Sequence, residues 1–450
     1  MFESLFPLST DAAVKPLGVL CEEGGGDIQT GPFGSQLHAS DYVSEGVPSI
    51  MPKNIGDNRV STEDIAYITE EDAERLSRYR VKPGDIVYSR RGDVEKRALI
   101  RSREDGWLCG TGCLRVRPGE AGLDSVYLSY YLAHPSVRNW IVQHAIGATM
   151  PNLNTSILSD LPVVAPPEPT QKRIAHILGT FDDKIELNRQ MNRTLEAIAR
   201  ATFKSWFVDF DPVHAKAEGR EPVGMDPETA AFFPDSLQDS PLGRIPEGWE
   251  VQALGEAAEV VDCLHSQKPQ QRESGRLLLQ VYNVGQHGDL DLSQPYWVSE
   301  GNYTEWTRRI ELVPGDLVIT KTGRVGAVAQ IPPGVRAALG RNMVGIRGNV
   351  GVATPRFLRC LLISDWMRRE IERLTSDGTI LRSLHVKAIE KLRLALPPFG
   401  LLERFESAGQ PLLGLAEANA AESSDLGQTR DTLLPRLLSG SLKTDAAGKT

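Results

Sequence analysis

The sequence predicts an α+β protein in which two duplicated α+β units are separated by two long, antiparallel, coiled-coil-like helices. Three observations predict it. The chain repeats itself at an offset of about 230 residues, far beyond any solenoid period. Each copy strings short β-branched runs, broken by Gly, Pro and Asn, ahead of one helical stretch. After each copy comes a run whose seam residues alternate spacings of four and three.

The duplication is clearest where Lys82-Pro-Gly-Asp-Ile-Val-Tyr-Ser-Arg-Arg-Gly-Asp-Val94 stands beside Val313-Pro-Gly-Asp-Leu-Val-Ile-Thr-Lys-Thr-Gly-Arg-Val325. Each reads as a Pro-Gly turn, a β-rich strand ending in Ser or Thr and a basic residue, then a Gly turn. Four further pairs follow in one order: Ile50–Gly56 with Leu279–Gly285, Gly110–Arg117 with Gly340–Arg347, Tyr127–Leu132 with Phe357–Leu362, and Leu161–Pro167 with Leu392–Pro398. The helical stretch runs from Val126 to Ala145 in one copy and from Pro355 to Leu374 in the other.

These matches divide the chain into a first unit (1–167), a central helix (168–207), a connecting stretch rich in Pro, Gly and acid (208–244), a second unit (245–398), a C-terminal helix (399–440) and a disordered tail (441–450). The central seam is Ile174, Leu178, Phe181, Ile185, Asn188, Asn192, Leu195, Ala199, Thr202 and Trp206; a helix of that span is about 60 Å long. The same frame 231 residues on includes Leu412, Ala416, Asn419, Leu433 and Leu437. Asn188 and Asn192 interrupt the apolar run either as a buried pair that fixes register or as a solvated gap, and Asn419 keeps an asparagine in the second helix. Pro411, with Gly409, falls inside that helix and predicts a kink or a delayed start.

A net charge of −9 and a 40% apolar composition describe a multidomain protein with real cores and no global basic coat. Local balances differ: 12 Lys/Arg face 5 Asp/Glu between Arg75 and Arg117, and 16 face 9 between Glu300 and Arg393. No stretch matches a membrane span or a leader, so the cytoplasm is the expected location. Five scattered cysteines predict reduced, partly buried thiols, with no zinc spacing.

Searching for chemistry returns little. Gly448-Lys449-Thr450 lacks the helix a phosphate loop needs, and Asp209-Phe-Asp211 lacks the ligand count for calcium or magnesium. Asp182-Asp183-Lys184 has a nuclease-like spacing, yet the seam frame puts it on the solvated flanks of the helix. The expectation is no catalytic residue and no metal.

Pro166-Pro-Glu-Pro-Thr-Gln-Lys-Arg-Ile-Ala-His-Ile-Leu178, Phe181-Asp-Asp-Lys-Ile-Glu-Leu-Asn188 and Leu195-Glu-Ala-Ile-Ala-Arg-Ala-Thr-Phe-Lys-Ser-Trp-Phe207 resemble the central spacer helix of type I restriction-modification specificity subunits. Ile245-Pro-Glu-Gly-Trp249, Arg430-Asp-Thr-Leu-Leu-Pro-Arg-Leu-Leu-Ser-Gly440 and, less specifically, Gly31-Pro-Phe-Gly-Ser35 are similar to that family too. The first unit departs from it, opening at Lys15-Pro-Leu-Gly18 without the Pro-x-Gly-Trp start. The resemblance implies two target-recognition domains, each reading half of a bipartite, asymmetric site in double-stranded DNA. It implies helices that dock two methylase subunits, and a separate motor-nuclease subunit. It implies no cofactor on this chain, with S-adenosylmethionine on the methylase and ATP with magnesium on the motor. A two-subunit system without a motor and a structural adaptor are the rival readings.

Base-edge chemistry then nominates the contacts, since Arg and Lys suit guanine, and Asn or Gln suit adenine. In the first unit the candidates are Lys53, Asn54, Arg90, Arg91 and Lys96 near strand ends, with Thr149, Asn152 and Asn154 in the loop before the last strand. In the second they are Tyr282, Asn283, Lys321, Arg324 and Arg341, with Arg382, His385 and Lys387 in the matching loop. Asn54 and Asn283 suit the role of turn former equally well.

Overall fold

Strand pairing closes each copy on itself. Ala13–Pro16 pairs antiparallel with Pro162–Ala165 in the first copy, and Glu250–Ala253 with Arg393–Leu396 in the second, so each copy's start and end lie side by side. The computed structural model describes residues 13–147, 151–285, 288–375 and 382–442. The main sheet of the first copy orders Gly25–Thr30, Cys113–Gly119, Ile86–Ser89, Arg97–Leu99 and Asp57–Asn58. That of the second orders Ala258–Asp262, Met343–Gly348, Leu317–Thr320 and Val328–Gln330, the same succession.

The repeated Pro-Gly-Asp has a structural cause. Gly84 and Gly315 sit at φ 92° and 94°, a left-handed backbone that glycine adopts without steric cost. The aspartate that follows is buried in both copies. Asp85 accepts from the Lys82 amide at 2.8 Å and from Arg117 Nε at 2.7 Å; Asp316 accepts from the Val313 amide and from Arg347 Nε, both at 2.8 Å. Each turn is thereby tied to the neighbouring central strand.

Each expected helical stretch is two helices. Ser125–Tyr131 and Pro135–His144 are separated at Pro135, which cannot donate to the preceding turn but is well placed to open the next helix. Pro355–Ile363 and Asp365–Leu374 are separated at Ser364, extended at φ −64°, ψ 149°, whose hydroxyl accepts from the Met367 amide. The stretch 208–244 is not a bare connection either. It forms helices Asp211–Ala217 and Pro227–Ala230, and its strand Leu237–Ser240 pairs with Gly243–Pro246. Its sparse apolar residues decide this, because Val213 and Phe233 are buried against Phe207, Trp249 and Leu401.

The two long helices are Glu168–Phe207 and Phe399–Leu438, 40 residues each. The second is not delayed by Pro411. Leu401, Leu402 and Phe405 are buried upstream of it and anchor the first turns, while the proline is exposed. Gly409 is needed where it stands, since a Cβ there would lie 2.1 Å from the Arg356 guanidinium.

Compactness gathers the chain into two units, Met1–Arg189 with Ala420–Thr450, and Gln190–Asn419. Inside the first, Asp182 pairs with Arg430, Lys184 with Glu422, and Asn188 Nδ2 donates to Glu422 at 2.7 Å and Ser423 at 3.3 Å, so the helices run antiparallel. Inside the second, Asn192 Nδ2 donates to the Ala416 carbonyl, Asn419 Nδ2 donates to Asn192 Oδ1, and the rings of Phe203, Trp206 and Phe207 pack tilted or edge-on around Phe405, again antiparallel. Asn188 is fully buried, which favours the register-fixing pair over a solvated gap. Of the remaining seam residues, Ile174, Leu178, Ile185 and Leu437 are buried, and Phe181, Leu195, Trp206 and Leu433 are half-buried.

The Asp182-Asp183-Lys184 expectation requires a correction. Asp183 is exposed, but Asp182 is buried, accepts from Tyr130 Oη at 2.6 Å and pairs with Arg430 at 2.5 Å. Burial works against the Arg430 charge, and Asp182 beside it reverses that effect and raises its pKa. Truncating one member of such a pair strands the other. Asp182→Ala is therefore expected to destabilise the first unit by roughly 3 kcal/mol. Hydrogen exchange should show early loss of protection in 168–189 and 420–438, with Asp183→Ala shifting stability by less than about 0.5 kcal/mol.

Candidate nucleic-acid interface

The first copy's interface is built where three strands of its main sheet reach one edge. Gly25–Thr30 and Ile86–Ser89 end there, and Cys113–Gly119 begins there. The Gly110–Cys113 turn organises this edge. The Gly31 amide donates to the Cys113 carbonyl at 2.9 Å and the Arg90 amide to the Gly112 carbonyl at 2.8 Å. On Gly112 a Cβ would meet the Pro52 ring at 3.2 Å, which brings the Pro52–Asn54 turn to the same place. The loop before the last strand joins them, since Arg91 bridges Asn152 and the Leu153 amide donates to the Arg90 carbonyl at 2.8 Å.

The second copy repeats the arrangement within its own unit. The Lys321 amide donates to the Asn342 carbonyl, the Leu384 amide donates to the Lys321 carbonyl, and Thr322 bridges Ser383. A Cβ on Gly340 would lie 1.8 Å from the Leu279 carbonyl oxygen, so the Val281–Asn283 turn again stands beside the glycine turn. Backbone hydrogen bonds thus fix the same loops in both copies, and side chains are left to differ.

The candidates divide by what their side chains already hold. Asn54 and Asn283 are buried, and the structure decides for the turn role. Asn54 accepts from the Met51 amide and donates to the Glu63 carbonyl; Asn283 accepts from the Gln280 amide and donates to the Asp291 carbonyl. Both side chains are fully buried, so neither presents its amide to a base edge. Asn154 caps the helix Thr155–Ser159 by accepting from the Ile157 amide at 2.8 Å. Arg324 donates to the Val284 and Gly285 carbonyls, and the Lys321 ammonium is held by Asp262. Half-buried Arg90 and Asn152 line the edge mainly through their backbones, and Lys96 leans toward Asp93 at 3.5 Å. Arg382 lies 3.7 Å from Glu372, and exposed His385 leads into the helix Val386–Glu390. Thr149 falls outside the described residues.

Among the described residues Lys53, Arg91, Arg341 and Lys387 remain exposed without an ion-pair partner, and Tyr282 is 52% exposed beside the glycine turn. The local charge count overstated the surface. Within the first basic stretch Arg97 and Arg115 are buried, Arg115 pairs with Asp27 at 2.6 Å, Arg117 with Asp85, and Arg101 donates to the Asn58 carbonyl.

The family model of the type I restriction modification DNA specificity domain matches residues 36–197. The chain is 24% identical over 443 residues to the type I restriction enzyme HindI specificity subunit of Haemophilus influenzae, covering 88% of this chain and 95% of that one. It is 26% identical over 413 residues to the MjaIX specificity subunit of Methanocaldococcus jannaschii, covering 90% and 89%. The chain belongs with the type I restriction-modification specificity subunits. The fold agrees: the crystallised S subunit from M. genitalium superposes over 96% of this chain and 98% of its own at a TM-score of 0.51, with 17% identity. A specificity subunit is a DNA-binding, non-catalytic member of its system.

One grouping of metal-ligand types occurs among the described residues, Asp262, Cys263 and His265, with ligand atoms within 4.8 Å of one another. No signal in the ligand spacing announced it. The Lys321 ammonium and the His265 ring already sit on the Asp262 carboxylate, and burial raises the Cys263 thiol pKa, so a cation would have to displace a fixed positive charge. All five cysteines are buried and free; burial pushes Cys109 up to about 12. No helix of the described residues is long and apolar enough to cross a membrane.

Phe33, exposed to 58% on the loop leaving the first sheet edge, was not among the candidate contacts, although the Gly31–Ser35 loop that carries it was singled out by resemblance. Its flanking Gly31 and Gly34 were the available signal. The division between turn formers and surface cations is testable by chemical denaturation. Asn54→Ala and Asn283→Ala should each cost about 1–3 kcal/mol, because each strands buried backbone groups. Lys53→Ala and Arg91→Ala should stay within about 0.5 kcal/mol of the parent.

Proposed function

We propose that this specificity subunit reads a bipartite, asymmetric site in double-stranded DNA, one half with each recognition domain (1–167 and 245–398), and contributes no catalysis. The observation that carries the reading is the repeated sheet edge: one backbone scaffold in both copies, presenting Lys53 and Arg91 in the first and Tyr282 and Arg341 in the second. A scaffold held by backbone bonds tolerates changes of base-contacting side chain, and unlike side chains read unlike half-sites.

In this reading the helices 168–207 and 399–440 dock two methylase subunits. Leu187, Ile198, Leu413 and Leu415 support that role, large apolar side chains left exposed on the two helices. S-adenosylmethionine then belongs to the methylase, ATP and magnesium to a motor-nuclease subunit, and the chain works in the cytoplasm, where its DNA is.

Single-molecule methylation sequencing tests this, with the chain and its methylase partner co-expressed and a control lacking only the chain. The expected result is a split, non-palindromic motif absent from the control; an undivided or palindromic motif overturns the two-reader reading. Lys53→Ala and Arg91→Ala should each reduce the slope of log affinity against log salt by roughly 1, as expected for loss of one phosphate contact, measured by anisotropy of labelled duplex.

A further inference from the structure

The loop that leaves the first sheet edge presents an aromatic ring to solvent on a constrained turn. Gly31 runs flush against the glycine turn, where a Cβ would lie 2.1 Å from the Gly110 carbonyl oxygen, and Gly34 takes φ +62°. Between them Phe33 is 58% exposed. Its turn is pinned from several sides. The Phe33 amide donates to Gln36 Oε1, the Gln36 amide donates to the Phe33 carbonyl, Tyr79 Oη donates to the same Oε1 at 2.9 Å, and Arg75 Nη1 donates to the Gln36 carbonyl at 3.0 Å. A ring held out this way forgoes burial and loses little freedom when a ligand covers it.

The neighbours state which ligand fits. The Phe33 loop meets one side of the Gly110–Cys113 turn, and Arg90–Arg91 and Pro52–Lys53 meet the other, so exposed cations and the ring share one sheet edge. Cations suit phosphates and a phenyl ring suits base faces, a combination that double-stranded DNA satisfies. We propose that Phe33 is a specificity-determining residue of the first recognition domain, wedging against one base step of its half-site and locally unstacking it. This rests on the DNA-reading role given above. Thr30 pairs with Leu114 and Asp262 with its counterpart Val344, so the position matching Phe33 in the second copy is His265, whose ring is held on the Asp262 carboxylate, and the phenyl wedge belongs to one half-site.

The test uses the full chain with its methylase subunits and duplexes carrying the methylated motif, with 2-aminopurine substituted at each position in turn. The wild-type complex should raise fluorescence at a step in one half only. Phe33→Ala should abolish the rise, weaken specific binding roughly tenfold to hundredfold, relax the base preference at that step, and leave the salt slope unchanged because no phosphate contact is lost. Phe33→Trp should restore the rise. An unchanged melting temperature separates a lost contact from a lost fold; should the alanine variant melt early, Phe33→Gln replaces it with the same outcomes. Wild-type binding with no rise at any position, or a Phe33→Ala complex that binds and reads as wild type does, overturns the wedge and leaves the DNA-reading role standing. Absence of any sequence-specific binding by the wild-type complex overturns that role, and the wedge with it.

Discussion

Each recognition domain depends on a helix pair to complete its core. In the first unit Leu17, Tyr88, Leu114 and Tyr131 pack in one cluster with Ile174 and Leu178 of the central helix and with Leu434 and Leu437, residues that arrive some 250 positions later in the chain. In the second unit Ile319, Val344 and Phe357 share a cluster with Phe203, Phe207, Leu401 and Phe405. Neither domain can bury its apolar face from its own strands and short helices alone, so antiparallel helix pairing is a condition of folding within each unit.

The pairing is specified by polar groups as much as by the apolar seam. Asn188 on Glu422 and Ser423, and Asn192 with Asn419 and the Ala416 carbonyl, are satisfied in one register, and sliding either helix by a turn strands buried amides. The first unit adds a buried Asp182–Arg430 pair that also receives Tyr130 from its recognition domain. In the second unit the aligned positions are Leu413 and Ala199, which cannot form an ion pair, and a ring cluster around Phe405 lies at the helix pair instead. Duplication thus preserved the packing problem while the two copies reached different solutions.

Duplication also separates residues that hold the fold from residues left to vary. Asp85 and Asp316 anchor the same turn to the same strand, and Asn54 and Asn283 close the same short turn. All four are polar types that an interface search selects, yet their hydrogen bonds are used internally. Lys53 against Tyr282, and Phe33 against His265, show where the copies diverge on the shared edge. Divergence at exposed positions on a backbone-bonded frame changes the edge's surface chemistry without changing the fold.

The long-range order of the molecule was legible in the chain. The offset repeat, the spacing of the helix seam and the position of the helix from Glu168 to Phe207 are properties of local periodicity, and periodicity is written residue by residue. So was the neighbourhood of the shared sheet edge, because strand ends and glycine turns have local signals. What only tertiary structure decided is which polar side chains were already occupied. Asn154 as a helix cap, Lys321 on Asp262, Arg324 on two carbonyls, Asp182 buried rather than solvated and the structured stretch 208–244 all depend on partners distant in sequence or on a few apolar residues finding a core. A side chain's type states what it can bond; only the fold states whether a partner inside the protein has taken the bond first.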